Sequence, residues 1–140
     1  DPVNMNPNIP ARQAIHEVKI LLVEDTLFFR RAIRSELEKV GHQVAVVNDG
    51  KEALELLEKN PAQFDLVISD IEMPEMDGYT LTAEIKANPD LRNLHIVLHS
   101  SLSGVFNEAM VKKVGADQFI AKFHPDELVL AVQKWMGNKG

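Results

Sequence analysis

Cysteine is missing from this sequence, so the chain forms no disulfide bonds and performs no thiolate chemistry. Long apolar runs are missing too, because no segment approaches the roughly 18 uninterrupted apolar residues that a membrane-spanning helix needs. The N-terminus also lacks a basic region followed by an apolar segment and a small-residue cleavage site, so secretion has no support. These absences lead us to expect a cytoplasmic protein without membrane insertion.

Positive charge is in short supply as well. The chain has 15 lysines and arginines against 21 acidic residues, which gives a formal net charge of −6 at pH 7. A nucleic-acid-binding surface needs clustered positive charge. The cluster of Arg30, Arg31 and Arg34 is small enough to be a solvated helix face or a surface that docks a protein partner. We therefore expect no nucleic-acid partner.

A regular alternation of short apolar runs and amphipathic segments begins at residue 18. The 140 residues fit one domain of common size, which we place at 18–138. Residues 1–17 contain three prolines and three asparagines without sustained periodicity, so we interpret them as a linker or a cloning remnant. The predicted strands are 18–23, 42–47, 65–69, 94–99 and 118–121, and the predicted helices are 27–40, 51–59, 79–87, 105–114 and 127–136.

The helix predictions rest on the spacing of apolar residues. Phe29, Ile33 and Leu37 recur every fourth residue, as do Leu128 and Val132, and each set gives its helix one apolar stripe. Five strands that alternate with five helices predict an α/β protein. We expect a doubly wound five-stranded parallel sheet with helices on both faces.

Four acidic residues stand at the ends of two predicted strands. Glu24 and Asp25 follow the first strand, while Asp70 follows the third strand and Glu72 comes two residues later. If these strands are parallel neighbours, the carboxylates meet in one crevice, where like charges repel unless a cation joins them. Mg²⁺ prefers oxygen ligands of this kind. We expect Glu24, Asp25, Asp70 and the backbone carbonyl of Glu72 to hold it.

A hydroxyl and a lysine complete this set of strand ends. Ser100 ends the fourth strand and Lys122 ends the fifth, and ligands bind outside the carboxyl ends of such strands. Lys122 would neutralise one phosphoryl oxygen, and the Ser100 hydroxyl would donate to another. Asp70 is then the candidate nucleophile, because a carboxylate that attacks a phosphoryl group forms an acyl phosphate.

Four segments resemble a known family: VKILLVED at 18–25, DLVISDIEMPEMDG at 65–78, HIVLHSS at 95–101 and GADQFIAK at 115–122. The sequence at 18–136 is similar to the receiver domains of two-component response regulators of the chemotaxis type. The aspartate that precedes the MPEMDG turn is the most specific of these features. The resemblance implies a flavodoxin-like (CheY-like) fold.

The resemblance also implies roles for single residues. Asp70 would accept a phosphoryl group from a histidine kinase, Glu24 and Asp25 would be the metal-binding acidic pair, and Lys122 would match the family's lysine. Ser100 matches the switch hydroxyl. Phe119 matches the switch aromatic, which together with Ser100 would shift a surface made of the fourth helix, fifth strand and fifth helix.

A narrower resemblance lies in LHSSLSGVFN at 98–107 and GADQFIAKFHPDEL at 115–128. Both segments are similar to the receiver half of the chemotaxis coupling proteins called CheV, which join a CheW-like scaffold domain to a receiver. This likeness implies a CheA-type histidine kinase, a CheW-like domain and a chemoreceptor array as partners. Residues 1–17 would then be the tail of an interdomain linker.

The sequence departs from the family pattern at three places. Phe123 and His124 stand between Lys122 and Pro125, where the family usually has proline directly after the lysine, so we expect a trans peptide bond after Lys122. Phe119 replaces the tyrosine common in chemotaxis regulators and has no hydroxyl to offer a partner. Glu72 adds negative charge near the phosphoryl site, which would slow attack by water.

Simpler interpretations exist for the same residues. Glu24 and Asp25 suit the start of a helix, where the helix dipole favours negative charge, Ser100 suits a helix cap, and Lys122 suits a solvated surface. The histidines do not suggest a metal site, because His95 and His99 would lie about 13 Å apart on one strand at 3.3 Å per residue.

Two other functions use the same residues. One is an aspartyl-nucleophile phosphatase, but such enzymes carry a second acid two residues after the nucleophile on the first strand, and Glu72 is a poor substitute. The other is a receiver-fold interaction module that is not phosphorylated. We expect a phosphorylation-controlled switch rather than an enzyme.

Overall fold

The structure, a computed structural model, describes residues 18–73, 75–100, 105–121 and 125–139. Strands and helices alternate along it, as the apolar pattern predicts. The strands are β1 (Lys19–Val23), β2 (Gln43–Val47), β3 (Leu66–Asp70), β4 (His95–Ser100) and β5 (Gln118–Ala121). The helices are α1 (Leu27–Lys39), α2 (Gly50–Lys59), α3 (Gly78–Ala87), α4 (Val105–Val114) and α5 (Pro125–Lys139).

The ends of these elements follow from local chemistry. Asp49 caps α2 by accepting a hydrogen bond from the Glu52 amide, and Asp77 caps α3 in the same way through Thr80. Helix α5 is longer than the predicted 127–136: it begins two residues earlier at Pro125, a residue that suits the first turn of a helix, and ends three residues later at Lys139. In the described part of the chain, no helix combines the length and apolar character needed to cross a bilayer.

All five strands are parallel, in the order β2-β1-β3-β4-β5. The chain order therefore reverses between β1 and β3, and ligands of such sheets bind in the crevice beside that reversal. Val23 pairs with Ser69, so Glu24 and Asp70 leave the sheet side by side. Asp70 in turn pairs with His99 on β4.

Apolar side chains fill both faces of the sheet. One core cluster joins Leu21, Val67 and Leu98 of the strands to residues of α2, α3 and α4, and the other joins Ile20, Ile68 and Val97 to residues of α1 and α5. The predicted stripes take part, because Ile33, Leu37, Leu128 and Val132 are all fully buried. The predicted doubly wound sheet with helices on both faces is confirmed.

Candidate functional site

Two buried carboxylates lie at the crevice between β1 and β3. Glu24 is 0% exposed and Asp70 is 1% exposed, although both are acidic. The first and third strands are parallel neighbours, which is the condition under which we expected these carboxylates to meet. Burying two carboxylates beside each other is unfavourable unless positive charge or hydrogen-bond donors compensate.

The turn after β1 fixes the direction of Glu24. Its Oε2 accepts a hydrogen bond from the Thr26 amide at 3.0 Å, and its backbone carbonyl accepts two from the Arg30 guanidinium at 3.1 and 2.8 Å. Arg30 also bonds the side chain of Asn48. Glu24 is held inside as a result, while Asp25 beside it is exposed.

The backbone around Asp70 is held by the start of α3. The Gly78 amide donates to the Ile71 carbonyl at 2.9 Å, and a Cβ atom at Gly78 would lie 2.4 Å from the Asp70 carbonyl oxygen. Only glycine allows the helix to approach this closely. The Glu72 amide donates to Asp70 Oδ1 at 3.3 Å, which orients the carboxylate.

The first turn of α3 contains Tyr79, whose half-buried phenol lies close to the Asp77 carboxylate. Burial, and to a smaller extent the Asp77 carboxylate, raises the pKa of the Tyr79 phenol above its ordinary value of 10.0. Tyr79 also packs against the first core cluster. It therefore remains a neutral side chain at physiological pH.

Ser100 lies beside the loop that follows Asp70. It is fully buried, and its hydroxyl donates to Glu72 Oε1 at 3.4 Å. We predicted a role for the Glu72 backbone carbonyl, and the structure adds a contact of its exposed side chain with the candidate switch hydroxyl. The two groups are linked across β3 and β4.

The sequence predicts two site residues on or directly after β5, Phe119 and Lys122. Phe119 is half-buried, pairs with Leu98 of β4 and packs against the first core cluster. Its switching role stays a prediction. Lys122 lies outside the described residues, as do Phe123 and His124, so the lysine contact and the trans peptide bond also stay predictions.

His99 is the site residue that the sequence analysis missed. It is 0% exposed, and its Nε2 lies 3.3 Å from Glu24 Oε1. Glu24, Asp70 and His99 each offer a ligand atom, and these three atoms all lie within 4.8 Å of one another. The sequence analysis compared His99 only with His95. Its neighbours in the structure are instead the carboxylates of Glu24 and Asp70, which come from other strands. Its place at the carboxyl end of β4, directly before Ser100, was the available signal.

These groups suit a bound dication. The carboxylates of Glu24 and Asp70 converge. Asp25 directly follows Glu24 in the chain, and Glu72 lies two residues after Asp70. Hard oxygen donors of this kind are those that Mg²⁺ prefers. His99 brings at most one positive charge to two buried carboxylates, so a dication would reduce the remaining repulsion.

A family model for the response regulator receiver domain matches residues 20–133. The chain belongs to this family. The receiver is 33% identical over 118 residues to Protein PilG of Pseudomonas aeruginosa, a match that covers 83% of this chain and 85% of that protein. It is also 33% identical over 121 residues to Chemotaxis protein CheV1 of Helicobacter pylori, covering 84% of this chain and 37% of CheV1.

Solved structures give the same result for the fold. The crystal structure of the chemotaxis response regulator CheY4 of Vibrio cholerae superimposes on this receiver with a TM-score of 0.77 at 28% identity, covering 84% of this chain and 98% of CheY4. The predicted flavodoxin-like fold and the predicted resemblance to receivers of the CheV kind are therefore confirmed. The receiver spans little more than a third of the length of CheV1.

Proposed function

We propose that this receiver accepts a phosphoryl group on Asp70 from a histidine kinase, with the help of Mg²⁺, and that the modification switches a protein-interaction surface. The observation that carries the proposal is the register of β1 and β3, in which Val23 pairs with Ser69, so that Glu24 lies beside Asp70 at the carboxyl edge of the sheet and Asp25 follows it in the chain. In this proposal the receiver is the acceptor of a transferred group rather than an enzyme.

Asp70 is oriented for attack on a phosphoryl group. The Glu72 amide donates to Oδ1 at 3.3 Å and so orients the carboxylate, one oxygen of which would form the new bond to phosphorus. The bond between phosphorus and the kinase imidazole nitrogen breaks, and that nitrogen keeps the electron pair. Asp25, Glu24 and the Glu72 carbonyl would hold Mg²⁺, which when bound neutralises charge on the phosphoryl oxygens.

The switch begins at Ser100 in this proposal. Its hydroxyl donates to Glu72 Oε1 at 3.4 Å, a long hydrogen bond, and a phosphoryl group on Asp70 would be a stronger acceptor. Phe119 lies on β5, which pairs with the strand of Ser100, and it would follow the movement of that strand end. The surface of α4, β5 and α5 would then change its shape, with Lys122 contacting the phosphoryl group as the family resemblance implies.

The partners proposed for the receiver are those of a chemotaxis coupling protein. Similarity to CheV1 supports a CheA-type histidine kinase as phosphodonor, with a CheW-like scaffold domain and a chemoreceptor array as the assembly. The output would be adaptation of the array or storage of phosphoryl groups.

Intact-mass spectrometry after treatment with acetyl phosphate and Mg²⁺ tests the proposal. We expect the wild-type chain to gain one phosphoryl group and Asp70→Asn to gain none. Asp90→Asn, which changes an exposed aspartate after α3, is the matched control and should behave like the wild type. A wild-type chain that stays unmodified would contradict the proposal and favour the interaction module that is not phosphorylated.

A further inference from the structure

We propose that His99 is a metal ligand that makes the cation site of this receiver prefer first-row transition-metal dications, such as Mn²⁺ or Zn²⁺, over Mg²⁺. The proposal rests on the proposed function only in that both use Glu24 and Asp70. It adds a nitrogen ligand to a site otherwise made of oxygen.

Three adjacent strands bring the ligands together. Glu24 follows β1, Asp70 ends β3 and His99 lies in β4, and these strands are neighbours in the centre of the sheet. The side chains are 0%, 1% and 0% exposed, and their ligand atoms lie within 4.8 Å of one another. Asp70 and His99 are held in register because they pair across β3 and β4. The Ile71 amide also donates a hydrogen bond to the His99 carbonyl at 3.0 Å.

The imidazole of His99 faces the carboxylate of Glu24. Its Nε2 lies 3.3 Å from Glu24 Oε1. Two ligands that each lie about 2.0–2.1 Å from one tetrahedral metal ion are about 3.3 Å apart. The observed separation of 3.3 Å suits an imidazole–carboxylate ion pair without metal and also suits two ligands of a single tetrahedral ion, so the two groups need little movement to bind one.

The donor set decides which ion the site prefers. Imidazole nitrogen is a good ligand for zinc, copper, iron and nickel ions. Mn²⁺ favours oxygen ligands but accepts an imidazole nitrogen more readily than Mg²⁺, which takes oxygen ligands and retains water. In this proposal Glu24, Asp70 and His99 would all bind a transition-metal ion, whereas Mg²⁺ would be bound by oxygen ligands without His99. Because Glu24 and Asp70 are shared, the two kinds of ion would compete for one position.

Pulsed EPR of the Mn²⁺-loaded full chain, without a phosphodonor, tests the nitrogen ligand. We expect electron spin echo modulation from a directly bound imidazole nitrogen in the wild type and its loss in His99→Val. His95→Gln changes a histidine four residues earlier on the same strand and should keep the modulation. Bound Mn²⁺ without nitrogen modulation, or loss of the modulation in His124→Gln instead, would overturn the assignment.

Calorimetric titration with Mn²⁺ and with Mg²⁺ tests the preference. We expect His99→Val to weaken Mn²⁺ binding by about tenfold or more while the Mg²⁺ affinity changes by less than about twofold. An unchanged ratio of the two affinities would contradict the proposal. If His99→Val fails to fold, the pulsed EPR spectrum of the Mn²⁺-loaded wild type still shows whether a nitrogen ligand binds the ion. Acetyl phosphate labelling with Mg²⁺ is measured separately, so either proposal can fail while the other stands.

Discussion

At the scale of the residue, the site is a set of buried charges whose neighbours define their roles. Glu24 is turned inward by Thr26 and Arg30, and Asp70 is oriented by the Glu72 amide. Glu72 therefore acts twice, through its backbone on Asp70 and through its carboxylate on the Ser100 hydroxyl.

Replacing Glu72 with asparagine removes the negative charge nearest to the loop after Asp70. We expect the aspartyl phosphate to hydrolyse about fivefold faster, because repulsion between unit charges 4 Å apart in water is about 1 kcal/mol and water attacks more easily without it. Phosphate release from the labelled chain measures this. Glu75→Gln, at an exposed glutamate of the same loop, is the control, and an unchanged rate in Glu72→Asn would remove this role for the side chain.

Replacing Asp70 with asparagine removes one of two buried, adjacent carboxylates. In EDTA we expect the free energy of unfolding to rise by about 1–2 kcal/mol, because a single unit of like-charge repulsion is relieved in a poorly solvated site. Urea denaturation followed by circular dichroism measures it, with Asp90→Asn as the exposed control. A less stable Asp70→Asn chain in EDTA would show that repulsion between these carboxylates is already compensated.

At the scale of the element, strands carry the charged groups and helix starts hold them in place. Apolar runs bounded by turn residues predicted the strands to within one or two positions, because Gly41 and Gly115, with φ of +97° and +87°, end the helices before β2 and β5. The position of His99 beside Glu24 and Asp70 was not predictable in this way, because it depends on the register of the central strands. The Glu72 contact with Ser100 likewise depends on loop geometry that no local pattern contains.

The close approach of α3 to β3 gives a prediction for Gly78. A Cβ atom there would lie 2.4 Å from the Asp70 carbonyl oxygen and 2.9 Å from Ile71 Cα, so Gly78→Ala must push the helix away from the sheet. We expect a loss of about 1–3 kcal/mol in the free energy of unfolding. Gly137→Ala in α5 has nothing within 4 Å and should be neutral or stabilising. Equal stability of the two variants would contradict the close packing.

At the scale of the whole molecule, the site lies on the three central strands of a sheet that is covered on both faces. Binding a dication there should stabilise the entire fold, since an ion that binds only the folded state raises the free energy of unfolding. The surface proposed to respond lies at one edge, on α4, β5 and α5. The proposed acceptor is therefore central in the sheet, and the surface proposed to respond is peripheral.

Mg²⁺ should therefore raise the stability of the wild-type chain. At a concentration of 100 times the dissociation constant we expect an increase of about 2.7 kcal/mol in the free energy of unfolding. Asp25→Asn should lose most of this increase, because it removes an exposed carboxylate from the acidic pair. Urea titrations with and without Mg²⁺ measure it. A response of Asp25→Asn equal to that of the wild type would exclude Asp25 as a ligand.

The central claim is that Asp70 is the residue that carries the phosphoryl group. The most direct measurement is to label the chain with acetyl phosphate and Mg²⁺, reduce the acyl phosphate with borohydride, and locate the resulting homoserine by tandem mass spectrometry of the peptides. The account predicts homoserine at position 70 and at no other aspartate. Homoserine at another position, or none anywhere in a fully folded chain, would contradict it.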